Sequence, residues 1–133
     1  MTTQQPEATL ELGLVAYLDG LPVGGKNALA TTRIGTDLQT LVDAHGAVLR
    51  VRRTTGTEGP LEVRPRLAVE VYATTYLNAW DAAEGVRQRL QRRYFRAGGY
   101  LIDACINESA STEQPHPNLR VLAQVWRLVT RDA

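Results

Sequence analysis

Between residues 65 and 90 the spacing of apolar positions changes period once. Leu67, Val69, Val71 and Ala73 alternate with Arg66, Ala68, Glu70 and Tyr72, the period-two pattern of a half-buried strand. Past Thr74 and Thr75 the period becomes helical. Tyr76, Ala79, Trp80, Ala83, Val86, Leu90 and Tyr94 fall on one stripe. Asp81, Glu84, Gln88, Gln91 and Arg92 take the opposite face. Thr74 or Thr75 is placed to cap this helix, because a threonine hydroxyl accepts an orphan amide of the first turn. Gly98 and Gly99 predict its end.

The same reading extends along the chain. Residues 1–6 form a polar tail expected to be disordered. Leu10, Leu14, Val15 and Leu18 predict a short helix over 7–18. Glycines and Pro22 predict a loop over 19–36. Leu38, Leu41 and Val42 predict a second short helix over 37–45, stopped by Gly46. Strands are predicted over 47–54, 100–107 and 119–129, with turns at 55–64 and 108–118. On the last strand Val121, Ala123, Val125 and Val129 share one face, and Leu122, Trp126 and Leu128 the other.

Helix, helix, strand, strand, long helix, strand, strand predicts one α+β domain over 1–133. Its sheet should be four-stranded and mostly antiparallel, with the long helix covering one face and short helices at the N-terminus. The expected core comprises Leu67, Val69, Val71, Trp80, Ala83, Leu90, Val121 and Val125. Trp80 should meet Trp126 across the helix–sheet interface.

Composition narrows the function classes. The chain has 133 residues, 44% of them apolar and 22% charged, and its net charge of +1 does not suggest a dedicated nucleic-acid binder. Cys105 is the only cysteine, which excludes an internal disulfide and reads as a small core hydrophobe. A basic leader is absent from the N-terminus, and no apolar run reaches the roughly 18 residues of a membrane span, so a cytoplasmic protein is expected.

Candidate chemistry is sparse. Gly20 to Asn27 reads GLPVGGKN, a phosphate-loop pattern in which Asn27 replaces the hydroxyl that would hold magnesium. Neither a clear strand before it nor a periodic helix after it supports that reading. His45 and His116 have no partner at metal-ligand spacing. Ser109, Ser111 and Thr112 lack the context of an activated nucleophile. The expectation is therefore a protein without catalysis, cofactor or metal. The densest charge is Arg50, Arg52 and Arg53, with Arg64 and Arg66 across the turn. Arg50 and Arg52 lie opposite Leu49 and Val51, so they should be dispensable for folding and available to a neighbouring subunit or a channel.

Four segments together resemble the tail terminator family of long-tailed bacteriophages, of the type found in phages of actinobacteria. They are LVAYLDG followed by a Pro-Val loop, VLRVRR, PRLAVEVYATTYLNAWDAAEGVRQRL, and the closing RVLAQVWRLVTR. The resemblance implies a virion protein assembled in the host cytoplasm. It would form a homohexameric ring on the tail tube, end polymerisation of the major tail tube protein, and present a face to head-completion proteins. DNA would cross the central channel only in transit, and no membrane would be involved. The alternatives are a related head–tail connector or stopper, and a small nucleotide-binding enzyme using Lys26.

Overall fold

The computed structural model describes residues 6–54, 65–91 and 94–132. In chain order its elements are α1 (Pro6–Leu18), β1 (Pro22–Val23), β2 (Lys26–Asn27), β3 (Leu29–Thr31), α2 (Leu38–His45), β4 (Ala47–Arg53), β5 (Arg66–Ala73), α3 (Tyr76–Leu90), β6 (Phe95–Ala97), β7 (Tyr100–Gln114) and β8 (Arg120–Asp132). Of the disordered tail expected at 1–6, residues 1–5 lie outside the described residues, as does the turn at 55–64, whereas Pro6 is not tail but opens α1. A proline suits that first position, because its missing N–H would have no helical partner.

The predicted four-stranded, mostly antiparallel sheet is not what forms. The main sheet is six-stranded and mixed, in the order β3-β4-β5-β8-β7-β6, beside a separate β1-β2 hairpin. β3 pairs with β4 in parallel, and α2 makes the crossover that parallel neighbours require. The remaining pairs are antiparallel. Two physical reasons explain the extra strands. β3 and β6 have three residues each, too few to display a period. The segment from Glu108 to Gln114 is polar and reads as loop, yet it pairs with β8 as far as Gln114↔Val121. Three register shifts along β7 mark where bulges interrupt the alternation.

One face of the sheet carries the main core. Leu49 and Val51 of β4, Leu67, Val69 and Val71 of β5, and Leu122, Trp126 and Leu128 of β8 point into it. Two helices cover that face rather than one. α1 contributes Leu10, Leu14 and Leu18, and α3 contributes Ala79, Ala82, Ala83, Val86 and Leu90. Their approach is close: a Cβ on Gly13 of α1 would meet the backbone nitrogen of Gly98 at 2.2 Å. Thr75 caps α3 as expected, its hydroxyl accepting the Asn78 N–H at 3.2 Å. α2 covers part of the opposite face, where Val42 meets Val48, Tyr72, Leu119 and Val121.

These contacts correct the expected core in three places. Leu67, Val69, Val71, Ala83 and Leu90 are buried where predicted. Val121 is buried, but in the smaller cluster under α2. Val125 is only half-buried, because β8 turns Leu122, Trp126 and Leu128 toward α1 and α3. Trp80 is 50% exposed and does not meet Trp126, which is fully buried. The burying stripe of α3 is set by its alanines, so close packing rather than bulk fixes the helix on the sheet.

The glycines predicted to end the long helix serve a turn instead. α3 ends at Leu90, and Gly98, at φ 61°, lies between β6 and β7. Beyond β7, His116 organises the chain reversal: its Nδ1 accepts the N–H groups of Asn118 at 3.2 Å and Leu119 at 3.0 Å. Trp126 is held both by packing and by its indole N–H, which donates to Gln124 Oε1 at 3.0 Å.

The two tryptophans therefore separate cleanly in a stability measurement. Trp126→Ala should lower unfolding free energy by about 3–5 kcal/mol, the usual range for emptying a buried aromatic site. Trp80→Ala should change it by less than about 1 kcal/mol. Urea denaturation of both variants checks the assignment, and equal losses would contradict it.

Candidate functional site

The face of the sheet not covered by α1 and α3 carries the charge. Alternation places Arg50 and Arg52 on it from β4, Arg66 and Glu70 from β5, and Arg127 and Arg131 from β8. Glu70 is opposite Arg50 in the register. Its Oε1 lies 3.4 Å from Arg50 Nη1 and 3.5 Å from Arg52 Nε. Glu70 is only 6% exposed, so this carboxylate sits between two guanidinium groups with little water to solvate it. Burial and then the Glu70 charge raise the pKa of the adjacent Tyr72 hydroxyl above its ordinary value, so it stays protonated.

A second bridge lies one strand further across. Arg66 of β5 is directly opposite Arg127 of β8, a like-charge pair that would repel. Glu108 resolves it. Its Oε1 is 2.7 Å from Arg66 Nε, and its Oε2 is 2.8 Å from Arg127 Nη2. The register shift between Asn107 and Ser109 brings Glu108 to this position. Asp103, at the shift between Ile102 and Ala104, meets Arg131 at 3.1 Å. Five arginines thus face three carboxylates across β4, β5, β8 and β7. The Nε atoms of Arg50 and Arg127 are buried without a hydrogen-bond partner among the described residues.

The structure thus sorts the expected arginines. Arg50, Arg52 and Arg66 share this face. Arg53 alternates with them, onto the face that carries Leu49 and Val51. Arg64 lies outside the described residues. Glu108 and Asp103, read in the sequence as loop or strand filler, complete the ladder. The period-two position of Glu70 within β5 is the signal that links it to Arg50 and Arg52. The expectation that Arg50 and Arg52 are dispensable for folding overlooks Glu70, which needs their charge.

The phosphate-loop pattern has a different explanation. Gly24 and Gly25, at φ 56° and 80°, make the two-residue turn between β1 and β2. Positive φ at both central residues is what such a hairpin turn requires, and glycine supplies it. Lys26 Nζ donates to the backbone oxygen of Asp43 at 2.7 Å. Its amine is thereby engaged in joining the hairpin to α2. Among the described residues no group of three or more His, Cys, Asp or Glu is placed to hold a metal ion. No helix among them is long and apolar enough to cross a membrane. The larger of the described clefts, about 600 Å³ and open to solvent, lies between Tyr17, Leu21 and the Asp81–Arg89 side of α3.

Two outcomes follow from these contacts. Removing both counter-charges by Arg50→Ser and Arg52→Ser should destabilise the fold by on the order of 2 kcal/mol, because Glu70 is left buried without a counter-charge while the arginines themselves are partly solvated. Adding Glu70→Gln should recover most of that loss, and an unchanged melting midpoint in the double variant would refute the role given to Glu70. Burial pushes the Cys105 thiol up to about 12, so it stays protonated at neutral pH. A thiolate-selective reagent at pH 8 should therefore label native protein far more slowly than urea-unfolded protein, and equal rates would contradict the burial.

The chain matches no protein-family model and no curated protein.

Proposed function

We propose that this protein is a structural subunit of a bacteriophage tail, forming a ring that caps the tail tube, ends its polymerisation and offers a surface to head-completion proteins. The observation that carries the reading is the charged sheet face, taken with the resemblance of VLRVRR and its neighbouring segments to tail terminators. Five arginines on three adjacent strands are held in place by three carboxylates, two of them from the next strand, β7. The positive excess is modest and spread over three adjacent strands. Such a wall attracts a polyanion weakly, because most guanidinium charge is neutralised locally. That suits a channel through which DNA passes without being retained. A dedicated nucleic-acid binder would carry a denser, unneutralised patch.

Polymerisation of the tail tube protein that this reading implies as its partner provides the test. Added at the start of assembly, the protein should shorten the tubes and appear as a ring at their ends in negative-stain electron microscopy. Tubes of unchanged length with bare ends, at a molar excess of the protein, would overturn the reading. Binding to the portal or its adaptor instead would assign it to the head–tail connectors.

A further inference from the structure

The proposed ring needs a contact between copies, and α3 carries an unusual distribution of exposed side chains. At its start Tyr76 is 42%, Leu77 80% and Trp80 50% exposed. Trp80 is the i+4 neighbour of Tyr76 and the i+3 neighbour of Leu77, so these three form one apolar patch. Tyr76 is fixed there by its hydroxyl, which donates to the Glu113 carboxylate, and by the Arg120 guanidinium 4.4 Å above its ring. Those two charges cancel. The side of the patch formed by Leu77 and Trp80 is bordered by Asp81 and Glu84, and residues 76–86 contain no basic residue. Neither acid lies in the first turn of α3, where the helix dipole would explain it. Glu84 is engaged by Arg87, whereas Asp81 is exposed and has no ion-pair partner among the described residues.

The far end of α3 has the opposite character. Four residues past Leu90, Tyr94 is 69% exposed and held at φ 62°. A positive φ is uncommon for a residue other than glycine and costs strain in a bulky side chain. The sequence around it, RRYFR, contains only positive charge. Phe95 turns inward to stack on Tyr17 at 4.2 Å, so Tyr94 and the exposed Arg96 lie on the other side of the backbone. α3 itself has 15 residues and is about 22 Å long, with the patch on its first turns and Tyr94 beyond its last.

Resting on the ring reading, we infer that these two ends are the halves of one contact between copies. The Leu77–Trp80 patch with Asp81 of one copy receives Tyr94 with Arg96 of the next. Three observations select a second copy as the occupant. Each end exposes aromatic surface, and the two ends carry opposite charge. Their separation along α3 makes the contact head-to-tail, the kind that closes into rings rather than stopping at a two-fold dimer. Because α3 lies against the opposite face of the sheet, a contact through its ends leaves the arginine face free for the channel.

Mixing two variants tests this directly. Trp80→Ser keeps the Tyr94 end, and Tyr94→Ser keeps the patch. Each alone should remain monomeric by mass photometry under conditions in which the wild-type chain, with tail tube protein, forms rings. Mixed, they should stop at dimers, since one junction per pair survives. Circular dichroism melts confirm that both variants are folded. As a second arm, Asp81→Arg and Arg96→Asp should each weaken assembly roughly tenfold, and the double variant should restore it. Rings formed by either single tryptophan or tyrosine variant, or a mixture that stays monomeric, would overturn the contact while leaving the ring reading intact. Rings that form normally but no longer bind tube in Trp80→Ser would assign the patch to the tube protein instead. A wild-type chain that never assembles, even with tube, would overturn the ring itself.

Discussion

The pairing of β5 with β4 on one side and β8 on the other is the constraint from which the rest of this structure follows. β5 is paired along its full length on both edges and is buried on both faces from Leu67 to Ala73. One set of its side chains, Leu67, Val69 and Val71, demands a cover, which α1 and α3 supply. The other set includes Tyr72, covered from the α2 side, and Glu70, which no apolar neighbour can satisfy. A carboxylate at that depth is tolerable only with cations beside it. Arg50 and Arg52 on the adjoining strand meet that requirement. The charged face is thus fixed by the sheet register, and a one-residue slip of β4 would move Leu49 and Val51 onto it and both arginines into the core.

Strong periodicity made some of this legible in the sequence. The switch at Thr75 from period two to a helical period fixed β5, α3 and the cap between them. Leu10, Leu14 and Leu18 marked α1, and Gly46, at φ 81°, closed α2. The remaining features have no local sequence signal, for identifiable physical reasons. The large aromatics drew the α3 stripe toward Trp80, whereas Ala79, Ala82 and Ala83 are the residues that allow close approach to the sheet. β3 and β6 are too short to show alternation. The polar half of β7 gains its strand character from β8, a tertiary effect that local propensity does not report. Glu108 became visible as a bridge only once the register shift beside it was known.

The outer face and the helix layer divide the surface between two physical tasks. On the sheet, carboxylates absorb most of the arginine charge and hold the side chains in an ordered ladder. At the start of α3 apolar groups stay exposed, and beyond its end lies an exposed tyrosine at positive φ; both are surfaces of the kind that mark contact sites. A subunit that joins its neighbours through the helix layer keeps its sheet face available. That division is what the proposed ring around a DNA channel would require.

Electron cryomicroscopy of tail tubes assembled with this protein is the most direct measurement of the central claim. The account predicts a closed ring at the tube end with Arg50, Arg52, Arg66 and Arg127 facing the lumen. A ring whose lumen is lined by another surface, with these arginines buried against the tube or a neighbouring subunit, would contradict it.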